Sequence, residues 1–223
     1  MNADPLAPIY RWLEYAAFGR LLETCRFFFL PELRLARRVL ILGEGDGRFL
    51  ARFLQSNPTA TVDVIEQSPK MIALARARLS APDLARVTFH SSNQIPPHAY
   101  DTIVTHFFLD CLSPAEASRL IAGIATTRHA TWIVSEFHIP AQGWPRFHAR
   151  LWITIMYAFF RWTTGLATRS IPPYEPMLAQ HGFHRHSQQF WRWGLVKAEL
   201  YRRNPTSPSP PSSAAKAPAP QKL

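Results

Sequence analysis

Short apolar runs separated by helical stretches recur between residues 39 and 137, and this alternation limits the chain to few folds. VLIL at 39–42, TVDVIE at 61–66, VTFH at 87–90, DTIVTHFF at 101–108 and ATWIVSEF at 130–137 are the runs. Runs this short and this apolar read as strands buried on both faces. RFLARFLQ, SPKMIALARARL and SPAEASRLIAGIA lie between them, the last two opened by a Ser-Pro pair that suits a helix N-terminus. The pattern predicts a parallel, doubly wound α/β sheet. Such sheets bind ligands beyond the carboxyl ends of their strands. That rim would carry Gly43–Gly47, Glu66, Asn93, His106 and Glu136.

The loop GEGDG at 43–47 joins the first strand to the first helix of the sheet. Its glycines permit a tight turn and close approach of backbone to a ligand. The dinucleotide fingerprint needs a further glycine where Arg48 stands, and a phosphate loop ending in Lys-Ser or Lys-Thr is absent. Glu44 and Asp46 would repel a pyrophosphate by about 1 kcal/mol per charge pair at 4 Å in water. They suit a cationic ligand, unless they only face solvent at the start of the helix. Glu66, at the end of the second strand, is placed to accept the two hydroxyls of a ribose. Ser68 serves as the next helix's cap, which leaves Glu66 for that role.

Taken in order, VLILGEGDGRFL, VDVIEQSPKMIALARARL, YDTIVTHFFLDCL and WIVSEF resemble the class I S-adenosylmethionine-dependent methyltransferases. The likeness runs over residues 36–203 and includes HGFHRHSQQFWRWGLVKAELYRR, which matches the antiparallel hairpin of strands six and seven in that family. It implies a Rossmann-like, doubly wound, seven-stranded sheet with an antiparallel C-terminal hairpin, an N-terminal helix and a helical insertion after strand five. It also implies S-adenosylmethionine as cofactor, whose sulfonium and ammonium groups suit the acidic loop. Carried over by position, Gly43, Glu44, Gly45, Asp46 and Gly47 form the cofactor loop. Glu66, with Gln67 beside it, takes the ribose. Ser92 or Asn93 meets the adenine, and Thr105 and His106 lie along the transferred methyl. Two departures stand out: Ile41 occupies a position often acidic in the family, and FHSSNQIP is shorter than the usual third segment.

Methyl transfer from a sulfonium asks mainly for positioning. An acceptor that must lose a proton would also need a base, for which His106, Asp110 and Glu136 are the candidates, with His138 behind them. After the fifth strand, HIPAQGWPRFHARLWITIMYAFFRWTTGL is apolar nearly all round, with one stripe through Phe147, Leu151, Ile155, Phe159 and Trp162 and another through Trp152, Met156 and Phe160. It is expected either to pack under the amino-terminal helix or to cover a hydrophobic acceptor, with Arg146, Arg150 and Arg161 placed for contact with a membrane surface. An insertion here is loosely similar to that of the ubiquinone and menaquinone C-methyltransferases. IPPY at 171–174 lies after strand five, not at the end of strand four as in amino-methylating enzymes of nucleic acids, and reads as the start of the helix before Gly182.

These elements divide the chain into a methyltransferase domain over 1–203, with a helical cap at 1–35 and a helical lid at 138–182, and a Pro/Ser/Ala-rich tail at 204–223 expected to be disordered. The net charge of +10 admits anionic partners, but two of those charges fall in the tail. No nucleic-acid partner is expected, and the oligomeric state stays open. Cys25 and Cys111 make no disulfide framework, His181, His184 and His186 have no companion ligands for a metal, and MNADPLAP does not resemble a secretory signal. A cytoplasmic enzyme, with peripheral membrane contact left open, is therefore expected. It would methylate a small, apolar or lipid-like acceptor. The alternatives are a nicotinamide-dependent oxidoreductase and a non-catalytic cofactor-binding adaptor at a membrane.

Overall fold

Seven strands form one sheet, buried on both faces along its inner strands and more exposed at its two edges. The computed structural model describes residues 10–92, 94–124, 131–168 and 170–203; the expected tail at 204–223 and Asn93 lie outside them. β1 (Arg38–Leu42), β2 (Thr61–Ile65), β3 (Val87–His90), β4 (Thr102–His106) and β5 (Thr131–Phe137) are parallel. β6 (Phe183–Trp191) and β7 (Val196–Arg203) form the expected antiparallel hairpin, with β7 paired to β5, which gives the order β3-β2-β1-β4-β5-β7-β6.

Alternation along each strand sorts the core into two layers. Val39, Ile41 and Val104 face one cluster; Leu40, Leu42 and Ile103 face the other. The first layer is covered by α2 (Leu21–Phe27), α3 (Arg48–Ser56) and α7 (Gly143–Thr164), and α1 (Tyr10–Phe18) adds Phe18 at its margin. The second is covered by α6 (Pro114–Ile124) and α8 (Tyr174–Gln180). α4 (Pro69–Ala77) and α5 (Ala81–Leu84) link β2 to β3. Ser68 caps α4 as expected, its Oγ accepting from Met71 N at 3.2 Å. IPPY leads into α8, which ends just before Gly182 at φ +81°.

Local chemistry shifts two boundaries from the sequence expectation. The amino-terminal helical stretch is broken into α1 and α2 because Gly19 takes φ +58°, a left-handed turn. β4 stops at His106, two residues early, because Phe107 adopts φ +52°. Left-handed backbone is costly for a phenylalanine. It is held by the Phe107 N–H, which donates to Ser135 O at 2.7 Å. This bend turns Phe107 to Asp110 back over the ends of β4 and β5, where the site lies.

Candidate active site

Three glycines of the loop between β1 and α3 have positive φ, and they do different work. A side chain at Gly43 would strike the ring of Phe108, and one at Gly47 would come within 2.5 Å of the Ala75 backbone in α4. These two glycines let neighbouring elements pack. Gly45, at φ +70°, has open space where a Cβ would stand. Its N–H donates to Glu66 Oε2 at 3.1 Å, while Ser68 N–H donates to Glu66 Oε1 at 3.0 Å. Glu66 is thus fixed against the open middle of the loop, with lone pairs remaining on both oxygens.

The loop acids depart from the expectation that they simply face a cationic ligand. Asp46 is committed to arginines: Arg48 Nε donates to Oδ1 at 2.9 Å and Arg78 Nη2 to Oδ2 at 2.8 Å. Glu44 Oε1 accepts from Leu50 N at 2.8 Å and so caps the first turn of α3. Glu44 Oε2 is shut from solvent with no partner, alone among the loop's carboxylate oxygens. Burial pushes the Glu44 carboxyl up to about 8.

At the ends of β4 and β5 the expected residues separate into distinct roles. Thr105 is fully buried in the layer away from the loop, where it accepts from Trp132 Nε1 at 3.1 Å. Its expected place beside a transferred methyl is corrected to a core contact, since the strand's alternation sends it to the opposite face. His106 points to the loop's layer, edge-on to Phe49 and hydrogen bonded through Nδ1 to Ser135 Oγ at 2.9 Å. Its Nε2 is buried without a partner, and burial, helped by the nearby Arg26 charge, holds its pKa well below the usual histidine range. Glu136 is fully buried, and its Oε1 gathers the N–H groups of Phe108, Leu109 and Asp110 at 3.0, 2.7 and 3.4 Å. Through Oε1 it shapes the turn, a positioning role that the expectation of a base did not include, while its Oε2 is buried without a partner. Ser92 is exposed beyond β3, and Gln67 is exposed beside Glu66.

Asp110 differs from these in lining a cavity of about 450 Å³. The walls are apolar, with Leu13 and Phe18 from α1, Phe107 from the bend, and Trp152, Met156 and Phe160 from α7. Burial pushes the Asp110 carboxyl up to about 6. Tyr157 OH donates to Asp110 O at 3.2 Å and Thr168 Oγ1 to Cys111 O at 3.0 Å, so the bend and the helical segment are tied together. Phe108 packs on Gly43 while its neighbour Phe107 lines the cavity, which puts the loop and the cavity on two sides of one bend.

Sequence patterns missed the network that roofs this site. Glu14 of α1 lines the cavity and accepts from Arg26 Nη1 and Nη2 at 2.7 and 2.9 Å and from Arg48 Nη2 at 3.0 Å. Arg48 also holds Asp46, so α1 is joined to the glycine loop through one guanidinium. The only signal in the sequence was a lone acid inside the apolar stretch WLEYAAF.

Residues 40–128 match the family model described as a methyltransferase domain. Among curated proteins, none matches the chain by sequence. Of solved structures, mitomycin 7-O-methyltransferase MmcR is similar at 20% identity and TM-score 0.64, over 90% of this chain and 60% of that one. The pyocyanin biosynthetic protein PhzM is similar at 18% identity and TM-score 0.65, over 92% of this chain and 62% of its own. Magnesium protoporphyrin IX methyltransferase from Synechocystis PCC 6803, with bound SAH, gives 18% identity and TM-score 0.58 over 85% of this chain and 84% of its own. At these identities the likeness is one of fold, and the chain spans about three-fifths of the length of the first two.

Proposed function

We propose, from the methyltransferase-domain match over residues 40–128 and the shared fold, that the chain is a class I S-adenosylmethionine-dependent methyltransferase and that it methylates a small apolar acceptor held between α1 and α7. The apolar cavity lined by α1, α7 and the bend that carries Asp110 is the observation that carries this reading. A volume of about 450 Å³ is in the range of small-molecule sites.

The residues of the loop fit the cofactor. Gly45 leaves its middle open, Glu66 is fixed beside it with acceptor capacity to spare, and Glu44 keeps one unpartnered oxygen. Gly43 and Gly47 support the loop's shape, and Asp46 holds it through arginines. When bound, S-adenosylmethionine supplies an activated sulfonium methyl. The protein's own part is to orient the acceptor, exclude water and receive a proton. The aromatic walls would do the first two. Asp110 would do the third, because it lines the cavity with its carboxyl pushed up to about 6, whereas Glu14 is held by two arginines. An acceptor with a weakly acidic hydroxyl suits that arrangement, and two of the fold neighbours are O-methyltransferases by name. His106, buried and neutral, would contribute shape and an unpartnered Nε2.

Among the described residues no helix is long and apolar enough to cross a membrane. The proposed setting is the cytoplasm, the proposed partner is the acceptor, and no nucleic acid is invoked. Calorimetry with S-adenosylmethionine tests the cofactor site. Wild-type protein should bind, and Glu66→Ala should lose at least tenfold in affinity, the scale of hydrogen bonds to a charged group. Equal affinity in the two proteins would overturn the assignment. Incubation of cell extract with methyl-labelled cofactor, followed by mass spectrometry, then identifies the acceptor.

A further inference from the structure

α7 buries one face and leaves another face apolar. Ala149, Ile153, Met156 and Tyr157 pack into the core. On the opposite side Trp144, Phe147, Leu151, Ile155 and Trp162 recur at helical spacing, and all are exposed, Trp144 at 66% and Trp162 at 86%. From Trp144 to Trp162 this stripe runs about 27 Å. Arg146, Arg150 and Arg161 are exposed along its flank, and the helix's 22 residues include no Asp or Glu. Such a stripe is larger than the scattered apolar residues of an ordinary surface.

A second element extends the same surface. The turn between β6 and β7 places Arg192 at φ +47° and Trp193 at φ +55°, both in the left-handed region that favours glycine or asparagine. Backbone strain is accepted there for a side chain that is 66% exposed. The turn is pinned beside α7: His148 of the helix meets Trp193 edge-on at 5.3 Å, Arg192 lies over Trp152 at 4.9 Å, and His138 Nδ1 hydrogen bonds Gly194 O at 2.8 Å. A tryptophan held outward by a strained, braced turn points to an external partner.

We infer that this surface docks the protein on an anionic phospholipid bilayer, α7 lying in the interface with its indoles inserted and its arginines among the headgroups. Amphipathic helices with a basic flank and exposed aromatics bind membranes in this way. A second copy of the chain fits less well. In a twofold dimer this patch would meet itself, setting the arginines of two helices together with no acid on either. The position of the cavity gives the docking a purpose. Ile155 both lines the cavity and is 54% exposed, so the stripe reaches the cavity's wall. An apolar acceptor could then pass from the bilayer to the site without crossing water. This delivery rests on the acceptor reading above, whereas the docking does not.

Vesicle flotation of the full chain tests the docking without any turnover. Wild-type protein should float with phosphatidylcholine vesicles that contain phosphatidylglycerol, and much less with phosphatidylcholine alone. Raised salt should weaken it. Arg146→Gln/Arg150→Gln/Arg161→Gln should lower the partition coefficient about fivefold per arginine. Trp144→Ser/Trp162→Ser should remove binding, with the melting temperature and cofactor affinity of both variants confirming a folded protein. Three results would overturn the inference: no flotation on either vesicle, flotation indifferent to phosphatidylglycerol, or binding that survives both variants. Sedimentation showing a dimer that is lost in the tryptophan variant would assign the surface to a second copy instead.

Discussion

Burying a carboxyl group under the first turn of α3 makes folding itself sensitive to pH. In the unfolded chain Glu44 has an ordinary carboxylate pKa, whereas burial raises it to about 8 in the fold. A raised acid binds its proton more tightly when folded, so its stabilising contribution is full below the unfolded value and is lost as pH rises through the folded one. One such proton corresponds to about 1.4 kcal/mol per pH unit across that window. Glu44→Gln keeps a carbonyl oxygen for Leu50 N and cannot ionise. Thermal melts should therefore show the wild type losing stability between pH 5 and 8, and Glu44→Gln should flatten that slope. An unchanged slope would place the titration elsewhere. Asp110 is the matching test of chemistry. Its carboxyl must be ionised to take a proton, so turnover should fall as pH drops below about 6. Asp110→Asn should cut kcat by about 100-fold or more, the usual scale for a general base, with cofactor affinity unchanged. Glu44, Asp46 and Glu66 were visible as residue types in GEGDG and VDVIEQ, but not their partners. Whether an acid caps a helix, binds arginine or faces a ligand depends on groups from 2 to 32 residues away, brought together only by the fold.

The strands, helices and hairpin were legible because their periods are local. VLIL and TIVTH can hardly be other than buried strands, and Ser68 marks its helix without help from afar. The exceptions lie where one residue's dihedral overrides the pattern, at Gly19 and at Phe107. A phenylalanine at the end of an apolar run gives no hint of a left-handed bend. Yet that bend carries Asp110 to the cavity and makes Glu136 a brace. The stripes of α7 were also legible, but not which of them is covered: Trp152, Met156 and Phe160 line the cavity, whereas Phe147, Leu151 and Trp162 face outward. α1 depends on tertiary charge. Glu14 is 5% exposed and satisfies two largely buried arginines. Removing one partner of such a network leaves uncompensated charge, at a cost of about 3–5 kcal/mol. Glu14→Ala should lower stability by that order and make the exposed Gly19–Arg20 junction a site of limited proteolysis. Wild-type resistance to protease would show that apolar packing alone holds α1.

At the scale of the whole molecule, the positive charge is not spread evenly. Arg26, Arg38, Arg48, Arg78, Arg86 and Arg185 are engaged in ion pairs with acids of the fold, while the helix beside the cavity carries three arginines and no acid. Three of the chain's arginines thus stand, with no acid on their own helix, beside the place where an apolar ligand would enter. That entrance exists only when three distant segments meet: α1, the bend after β4 and α7. Ala16 and Ala17 of α1 line the cavity opposite the aromatic residues of α7, and their small side chains keep it open. Ala17→Phe should fill it from the roof without touching the glycine loop. Cofactor affinity should stay at the wild-type level, and kcat/KM for the acceptor should fall by at least tenfold. An acceptor at about 100 times its Kd stabilises the fold it binds by about 2.7 kcal/mol. The rise in Tm that this produces in the wild type should be absent from Ala17→Phe. If the variant keeps both turnover and the acceptor-induced rise in Tm, the acceptor binds outside this cavity, and the apolar space under α1 is only packing volume.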